Sequence, residues 1–273
     1  EYIEPRENVL QEVSSGQQYV TEHGYYVTDY LVKTNLPALG YKILSFHKGA
    51  SIVTNQNSEK LSISSAKIKL SFEDQSLILT LKDGTQICDF LYLEDRGNAG
   101  DTYDFSPLTG DKKIIMSFDT AESTNSGDLQ QLILKGQVKL PQSIQERQLN
   151  KFNAIFKYTV KLMLTKDDQI KVQVTFRNNI GDHQLSLAIN TGLTEPARAS
   201  VPFGYITRQH HDQAEWQNKY AEKPINYWAF DDNVTVFEKG KYSMSIFSND
   251  VKEYRQNDDR LLLTLLATTD ELG

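Results

Sequence analysis

Cysteine is nearly absent from this sequence. One residue, Cys88, stands in 273, so no internal disulfide can form and a disulfide-stapled secreted scaffold is excluded. A reducing, cytoplasmic compartment is the expectation. Proline is sparse as well: seven prolines beside 39% apolar residues describe a folding chain, not a disordered one. Basic clusters are missing. The net charge is −7, and no run of Lys and Arg gives the electrostatic footprint of a nucleic-acid binder. No apolar stretch approaches the roughly 18 residues of a membrane span. The chain opens on Glu1-Tyr2-Ile3-Glu4-Pro5, without an initiator methionine or a basic and apolar leader, and stops at Leu272-Gly273 just after an apolar run. An excised fragment is expected. Helical patterning is missing too, since no long stretch carries apolar residues at i, i+3, i+4 and i+7 between recognisable caps. No repeat of 20–50 residues appears, which removes support from propellers and solenoids.

What is present is strand. Lys67–Phe72 and Ser76–Leu81 alternate apolar and polar residues around the break Glu73-Asp74-Gln75, and they read as a hairpin. Ile155–Leu162 and Ile170–Phe176 form a second pair around Thr165-Lys166-Asp167-Asp168. Further strands are expected at Leu185–Ile189, Val234–Phe237, Tyr242–Phe247 and Arg260–Leu266. Long half-buried strands suit a large antiparallel β-sandwich, in which each sheet turns one face to the other. The fold class is therefore mainly β.

Two segments resist the strand reading, Glu94 to Gly110 and Thr194 to Trp228. Long loops rich in Gly, Asp, Tyr, His and Trp are where function sits on a rigid β scaffold. In the first, Asp95, Asp101 and Asp104 invite a carboxylate pair, but Asp in Gly-rich loops more commonly shapes turns through Asx hydrogen bonds. Cys88, within an alternating run, reads as a strand residue without a role. In the second segment, His210-His211-Asp212 has metal-ligand residue types, yet adjacent histidines in an extended loop diverge and no further ligand follows at motif spacing. His183 reads as an orienting hydrogen-bond partner in a tight turn. Trp216, Tyr220, Tyr227 and Trp228 could stack on sugars, though covering a sheet is the commoner role. The Asn233-Val234-Thr235 sequon is uninformative in a chain without disulfides.

The stretch Glu94-Asp95-Arg96-Gly97-Asn98-Ala99-Gly100-Asp101-Thr102-Tyr103-Asp104-Phe105-Ser106-Pro107 follows a strand expected to end near Leu93. It resembles the glycine- and aspartate-rich loop of bacterial family 38 α-mannosidases. Asn178-Asn179-Ile180-Gly181-Asp182-His183-Gln184-Leu185, Pro202-Phe203-Gly204-Tyr205-Ile206-Thr207-Arg208 and Leu36-Pro37-Ala38-Leu39-Gly40-Tyr41-Lys42 resemble further segments of that family, in the same order. Gln184 departs from the usual arginine, and Leu261 to Gly273 is looser than the family's ending.

The resemblance implies a galactose-mutarotase-like supersandwich. Residues 1–45 would be a lead-in whose strands pack on it, and residues 46–273 the family's C-terminal β-sandwich domain. It also implies a retaining α-mannosidase as parent, whose zinc and nucleophilic aspartate lie in an N-terminal catalytic domain absent from this sequence. The fragment itself would then hold no catalytic residue, metal or cofactor. Its expected partners are its own catalytic domain and an α-mannoside, with no nucleic acid or membrane, and homo-oligomeric assembly of the parent is left open. Among its residues the resemblance points to Tyr103, whose hydroxyl would hydrogen-bond the bound mannose, with Asp101 as a second substrate-binding candidate. Tyr103 as an ordinary core or surface aromatic stays open. So does a stand-alone carbohydrate-binding or mutarotase-like module, because fold alone does not fix function.

Overall fold

From Ala154 to Leu164 every second side chain is buried: Ala154, Phe156, Tyr158, Val160, Leu162 and Leu164. Burying each large apolar side chain is worth about 1.5–3 kcal/mol. A one-residue slip would turn all of them to solvent, so this strand's register is set by its own alternation.

The computed structural model describes residues 2–27, 34–45, 47, 56–57, 61–126, 129–165, 167–209 and 225–270. The chain divides into two units, Glu1–Ile52 and Val53–Gly273. In the first, Arg6–Val13 pairs with Gly16–Glu22, and Tyr2–Ile3 with Tyr25–Tyr26, both antiparallel.

The second unit is built from antiparallel sheets. The Ala154–Leu164 strand lies between Leu129–Leu140 and Ile170–Phe176, and Thr120–Ser126 and the short Gln56–Asn57 complete a five-stranded sheet. A six-stranded sheet runs in the order Ile114–Met116, Leu91–Gly97, His183–Asn190, Arg260–Ala267, Glu253–Asn257, Trp228–Ala229. Two four-stranded sheets join them. One runs Ser62–Ser64, Ile68–Glu73, Ser76–Leu81, Gln86–Ile87, and the other Gly204–Thr207, Arg198–Val201, Asn233–Phe237, Ser243–Phe247. All four sheets send side chains into one apolar core, among them Leu70, Leu93, Phe156, Leu185, Val234 and Leu263. The mainly-β expectation holds. Among the described residues no helix is long and apolar enough to cross a membrane.

Side chains close the joints. The backbone N–H of Ser64 donates to Gln130 Oε1 at 2.8 Å while Gln130 Nε2 donates to the Ser64 carbonyl at 2.6 Å. One amide side chain thereby takes the place of a neighbouring strand. In the hairpin between Ile68–Glu73 and Ser76–Leu81, Asp74 and Gln75 both have positive φ, 49° and 63°, the mirror-image turn that matches strand twist.

Two sequence expectations need correction. The strand expected to end near Leu93 runs to Gly97, so Glu94, Asp95 and Arg96 belong to the sheet and not to the loop. Within the segment from Thr194 to Trp228, Arg198–Val201 and Gly204–Thr207 form a hairpin. Among the described residues there is one helix, Ile144–Gln148. At five residues it is too short to show a 3.6-residue period.

Gly136 pairs directly with Tyr158 across the five-stranded sheet, and the Tyr158 ring lies over the space a Cβ would need, while its hydroxyl donates to the Ser117 carbonyl. Gly136→Ala should lower stability by about 1–3 kcal/mol through overpacking. A denaturant midpoint unchanged from the parent chain would refute this account of the Gly136–Tyr158 pair.

Candidate functional site

Alternation along Leu91–Gly97 sends Asp95 into the core face of the six-stranded sheet and Glu94 and Arg96 to its other face. Asp95 has 0% exposure. A buried carboxylate is costly unless paired and hydrogen-bonded, and Asp95 has a partner on each oxygen. Arg147 Nη2 donates to Oδ1, and His183 Nδ1 lies 2.6 Å from Oδ2.

Both partners are delivered by local structure. Ser143 caps the short helix by accepting from the Glu146 N–H, and Glu146 reaches back to accept from the Gln142 N–H at 3.0 Å. This Ser-x-x-Glu arrangement is a capping box shifted by one donor, and it fixes the turn that aims Arg147 inward. His183 opens the next strand, opposite Gly97. Its Nε2 lies 3.1 Å from Asn178 Oδ1. The Asn178 amide is oriented by Ile180, donating to the Ile180 carbonyl at 2.9 Å and accepting from its N–H at 3.1 Å. Both ring nitrogens of His183 thus face oxygen acceptors.

Beyond the strand, the chain makes a closed loop. Asn98 bridges Pro107, Ala99 N–H donates to the Ser106 carbonyl at 2.7 Å, and Gly97 N–H donates to Asp111 Oδ2 at 2.8 Å. Inside the loop, Asn98 Oδ1 accepts from the N–H groups of Gly100 (3.0 Å) and Ser106 (3.2 Å), and Asn98 Nδ2 donates to the Thr268 carbonyl at 3.1 Å. A Cβ on Gly100 would collide with the Asp104 carbonyl. Asp101 Oδ1 accepts from the N–H groups of Tyr103 (2.8 Å) and Asp104 (3.0 Å). That is an Asx turn, and it puts Tyr103 at the tip with its side chain 85% exposed.

Around Glu94 the other face of the sheet is polar and also buried. Glu94, at 1% exposure, accepts from Arg255 Nη2 at 2.5 Å and Arg96 Nε at 2.8 Å, with Lys113 Nζ at 3.3 Å from its second oxygen. Burial alone would raise the Glu94 carboxyl, but the Arg255, Arg96 and Lys113 charges together outweigh it and hold the group below the usual carboxylate range. Tyr227 covers this cluster, donating to Gln184 Oε1 at 3.1 Å beneath the Arg255 guanidinium. Burial pushes its hydroxyl up, so it stays a donor. Phe105 packs on Tyr227 with ring centroids 5.2 Å apart. The loop is therefore seated on one face of the sheet by Phe105 and rooted on the other by Asp95.

The sequence candidates separate accordingly. Asp101 shapes the turn that presents Tyr103. Asp95 does not join Asp101 and Asp104 as a loop carboxylate, because it is sealed in the core. His183 is an orienting hydrogen-bond partner, though on a strand and not in a turn. Tyr227 packs as described, and Trp228 packs on Tyr254 with centroids 5.6 Å apart. His210, His211, Asp212, Trp216 and Tyr220 lie outside the described residues. Among the described residues no three His, Cys, Asp or Glu side chains converge to hold a metal. Sequence reasoning missed Arg147 and Asp111; the signal that could have found the turn carrying Arg147 is the Ser-x-x-Glu pattern of Ser143 and Glu146.

Comparison with known proteins agrees with this architecture. The family described as glycosyl hydrolases family 38 C-terminal domain matches residues 63–270. Among solved structures, an alpha-mannosidase from Enterococcus faecalis V583 is similar over 80% of this chain and 27% of its own, at 24% identity and a TM-score of 0.68. A protein in the glycosyl hydrolase family 38 from Enterococcus faecalis is similar over 100% of this chain and 34% of its own, at 19% identity and a TM-score of 0.65. At those identities the likeness is one of fold, and this chain spans about a third or less of either protein's length. No curated protein sequence matches.

The Glu94 cluster predicts an acid limb of defined sign. A carboxyl depressed in the fold adds stability above its unfolded value, near 4.5, and that contribution drains away as pH falls through the lowered folded value. Melting temperatures taken from about pH 6 down to about pH 2 should fall less steeply in Glu94→Gln than in the parent. The variant should also be less stable at neutral pH, where three cations lose their counter-charge. Parallel acid limbs would show that Glu94 titrates alike in both states.

Proposed function

This chain belongs to the glycosyl hydrolases family 38 C-terminal domain family, and we propose that it is the accessory β-sandwich of a retaining α-mannosidase, contributing one wall of the sugar pocket. The observation that carries the reading is the presentation of Tyr103. Its loop is tied at both roots and along its length, and nevertheless holds one phenol out at 85% exposure. Ordering that backbone costs conformational entropy, which a purely surface tyrosine has no use for. A hydroxyl so placed can donate to, or accept from, a sugar hydroxyl.

Chemistry in the intact enzyme then comes from elsewhere. Retaining hydrolysis needs two carboxyl groups about 5–5.5 Å apart and open to substrate. Here Asp95 is buried between two partners and Asp101 is occupied by its turn. The described residues also do not suit the zinc that the family resemblance implies, since no cluster of three ligating side chains forms among them. In this proposal metal and nucleophile belong to a separate catalytic domain, the sandwich's principal partner, and the present chain is inert alone. The single cysteine, exposed Cys88, suits a reducing cytoplasm.

A mutarotase-like centre would need a histidine and a glutamate converging on one sugar. Among the described residues, His183 and Glu94 lie on opposite faces of the same sheet and cannot form such a pair.

Two outcomes are expected. Purified chain should not hydrolyse an aryl α-mannoside with or without added zinc, and turnover that scales with its concentration and vanishes in Asp101→Ala would overturn the inert reading. In the full-length enzyme, Tyr103→Phe should cost about 1–3 kcal/mol of transition-state stabilisation, roughly 5- to 150-fold in kcat/KM, with an unchanged melting temperature. Parental kcat/KM in a folded variant would return the loop to a structural turn.

A further inference from the structure

We propose that Arg147 is a positioning residue for the Tyr103 contact, acting through Asp95 and Asp111 on the two roots of the loop. The inference rests on Tyr103 meeting the sugar. At 85% exposure the Tyr103 side chain has little packing to locate it. Its position must therefore come from the backbone beneath it, and that backbone is gripped where the loop leaves the sheet and where it returns.

One guanidinium reaches both places. Arg147 Nη2 donates to Asp95 Oδ1 on the strand before the loop, and Nη1 lies 3.4 Å from Asp111 Oδ2 after it. The same Asp111 oxygen accepts from the Gly97 N–H at 2.8 Å, so entry and exit share a single acceptor. Arg147 lies flush against the entry strand, since a Cβ on Gly97 would sit 2.5 Å from Arg147 Cδ. The Arg147 side chain is 4% exposed, Asp95 0% and Asp111 13%. Replacing buried ion pairs by apolar groups of similar volume is commonly neutral or stabilising. What a planar five-donor fork supplies here is direction: it sets two carboxylates at a fixed separation. Lysine keeps the charge but is a point donor on a flexible stem, and it cannot set that separation.

The test is a double-mutant cycle in the full-length enzyme. Arg147→Lys should lower kcat/KM about 5- to 30-fold in the parent background, and by less than about 2-fold in Tyr103→Phe, because the contact it positions is already gone. A role confined to stability would instead lower the melting temperature and reduce activity by the same factor in both backgrounds. If Arg147→Lys does not fold, Asp111→Asn weakens the acceptor that the two roots share, leaves the Arg147–Asp95 pair in place and should show the same coupling. A 3-fluorotyrosine at position 103 supplies a readout independent of turnover. Its fluorine resonance should move toward the solvent-averaged position and narrow in Arg147→Lys, and an unmoved line overturns the positioning role. Equal losses in both backgrounds, with Tyr103→Phe itself impaired, also overturn that role alone. Parental kcat/KM in Tyr103→Phe overturns the sugar contact and the positioning role with it.

Discussion

The ion pair between Arg147 and Asp95 is the constraint around which this part of the sandwich is arranged. Two charges at 4% and 0% side-chain exposure can persist in an apolar core only if the remaining polar atoms are met as well. Each neighbouring feature answers that demand. His183 takes the second carboxylate oxygen, Asn178 takes the far side of His183, and Asp111 takes the second arm of the guanidinium. A capped five-residue helix interrupts the strands here, and it is what brings the arginine inward. Gly97 leaves the space against which the guanidinium lies. Breaking such a pair by removing one member typically costs about 3–5 kcal/mol, so these features are coupled to one another through it.

Adjacent residues on one strand serve two separate charge systems. Glu94 and Asp95 are neighbours in sequence, yet the sheet lies between their carboxylates, one held by Arg255, Arg96 and Lys113 and the other by Arg147 and His183. The loop that follows is coupled to both. Phe105 rests on Tyr227 above the Glu94 cluster, and the loop roots meet the Asp95 cluster below. Tyr103 therefore projects from a segment held from both faces of a six-stranded sheet.

Much of the fold was legible in the sequence, because its cause is local. The alternation in Ile68–Glu73, Ser76–Leu81, Ala154–Leu164 and Ile170–Phe176 is a direct record of which face is buried, and those strands lie within a few residues of their expected bounds. Leu91–Gly97 was cut short in the reading because Glu94, Asp95 and Arg96 look like loop residues, and only a sheet buried on both faces with partners for every charge makes them strand. The motif around Tyr103 could be found from residue order, and the turn-forming role of Asp101 from its residue type. Arg147 and Asp111 could not. They lie 52 and 16 residues from Asp95 in the chain, and nothing in their own surroundings marks an arginine or an aspartate as destined for a shared buried cluster.

The amide of Gln130 has a consequence away from the site. Among the described residues Ser62–Ser64 is the outermost strand of its sheet, and an open strand edge is a template on which a second polypeptide can add itself and begin to aggregate. Gln130 occupies both the N–H and the carbonyl of Ser64, so that rim offers no free rung at this position. A side chain from the neighbouring sheet thus fills the rung at Ser64 on which β-growth would otherwise begin.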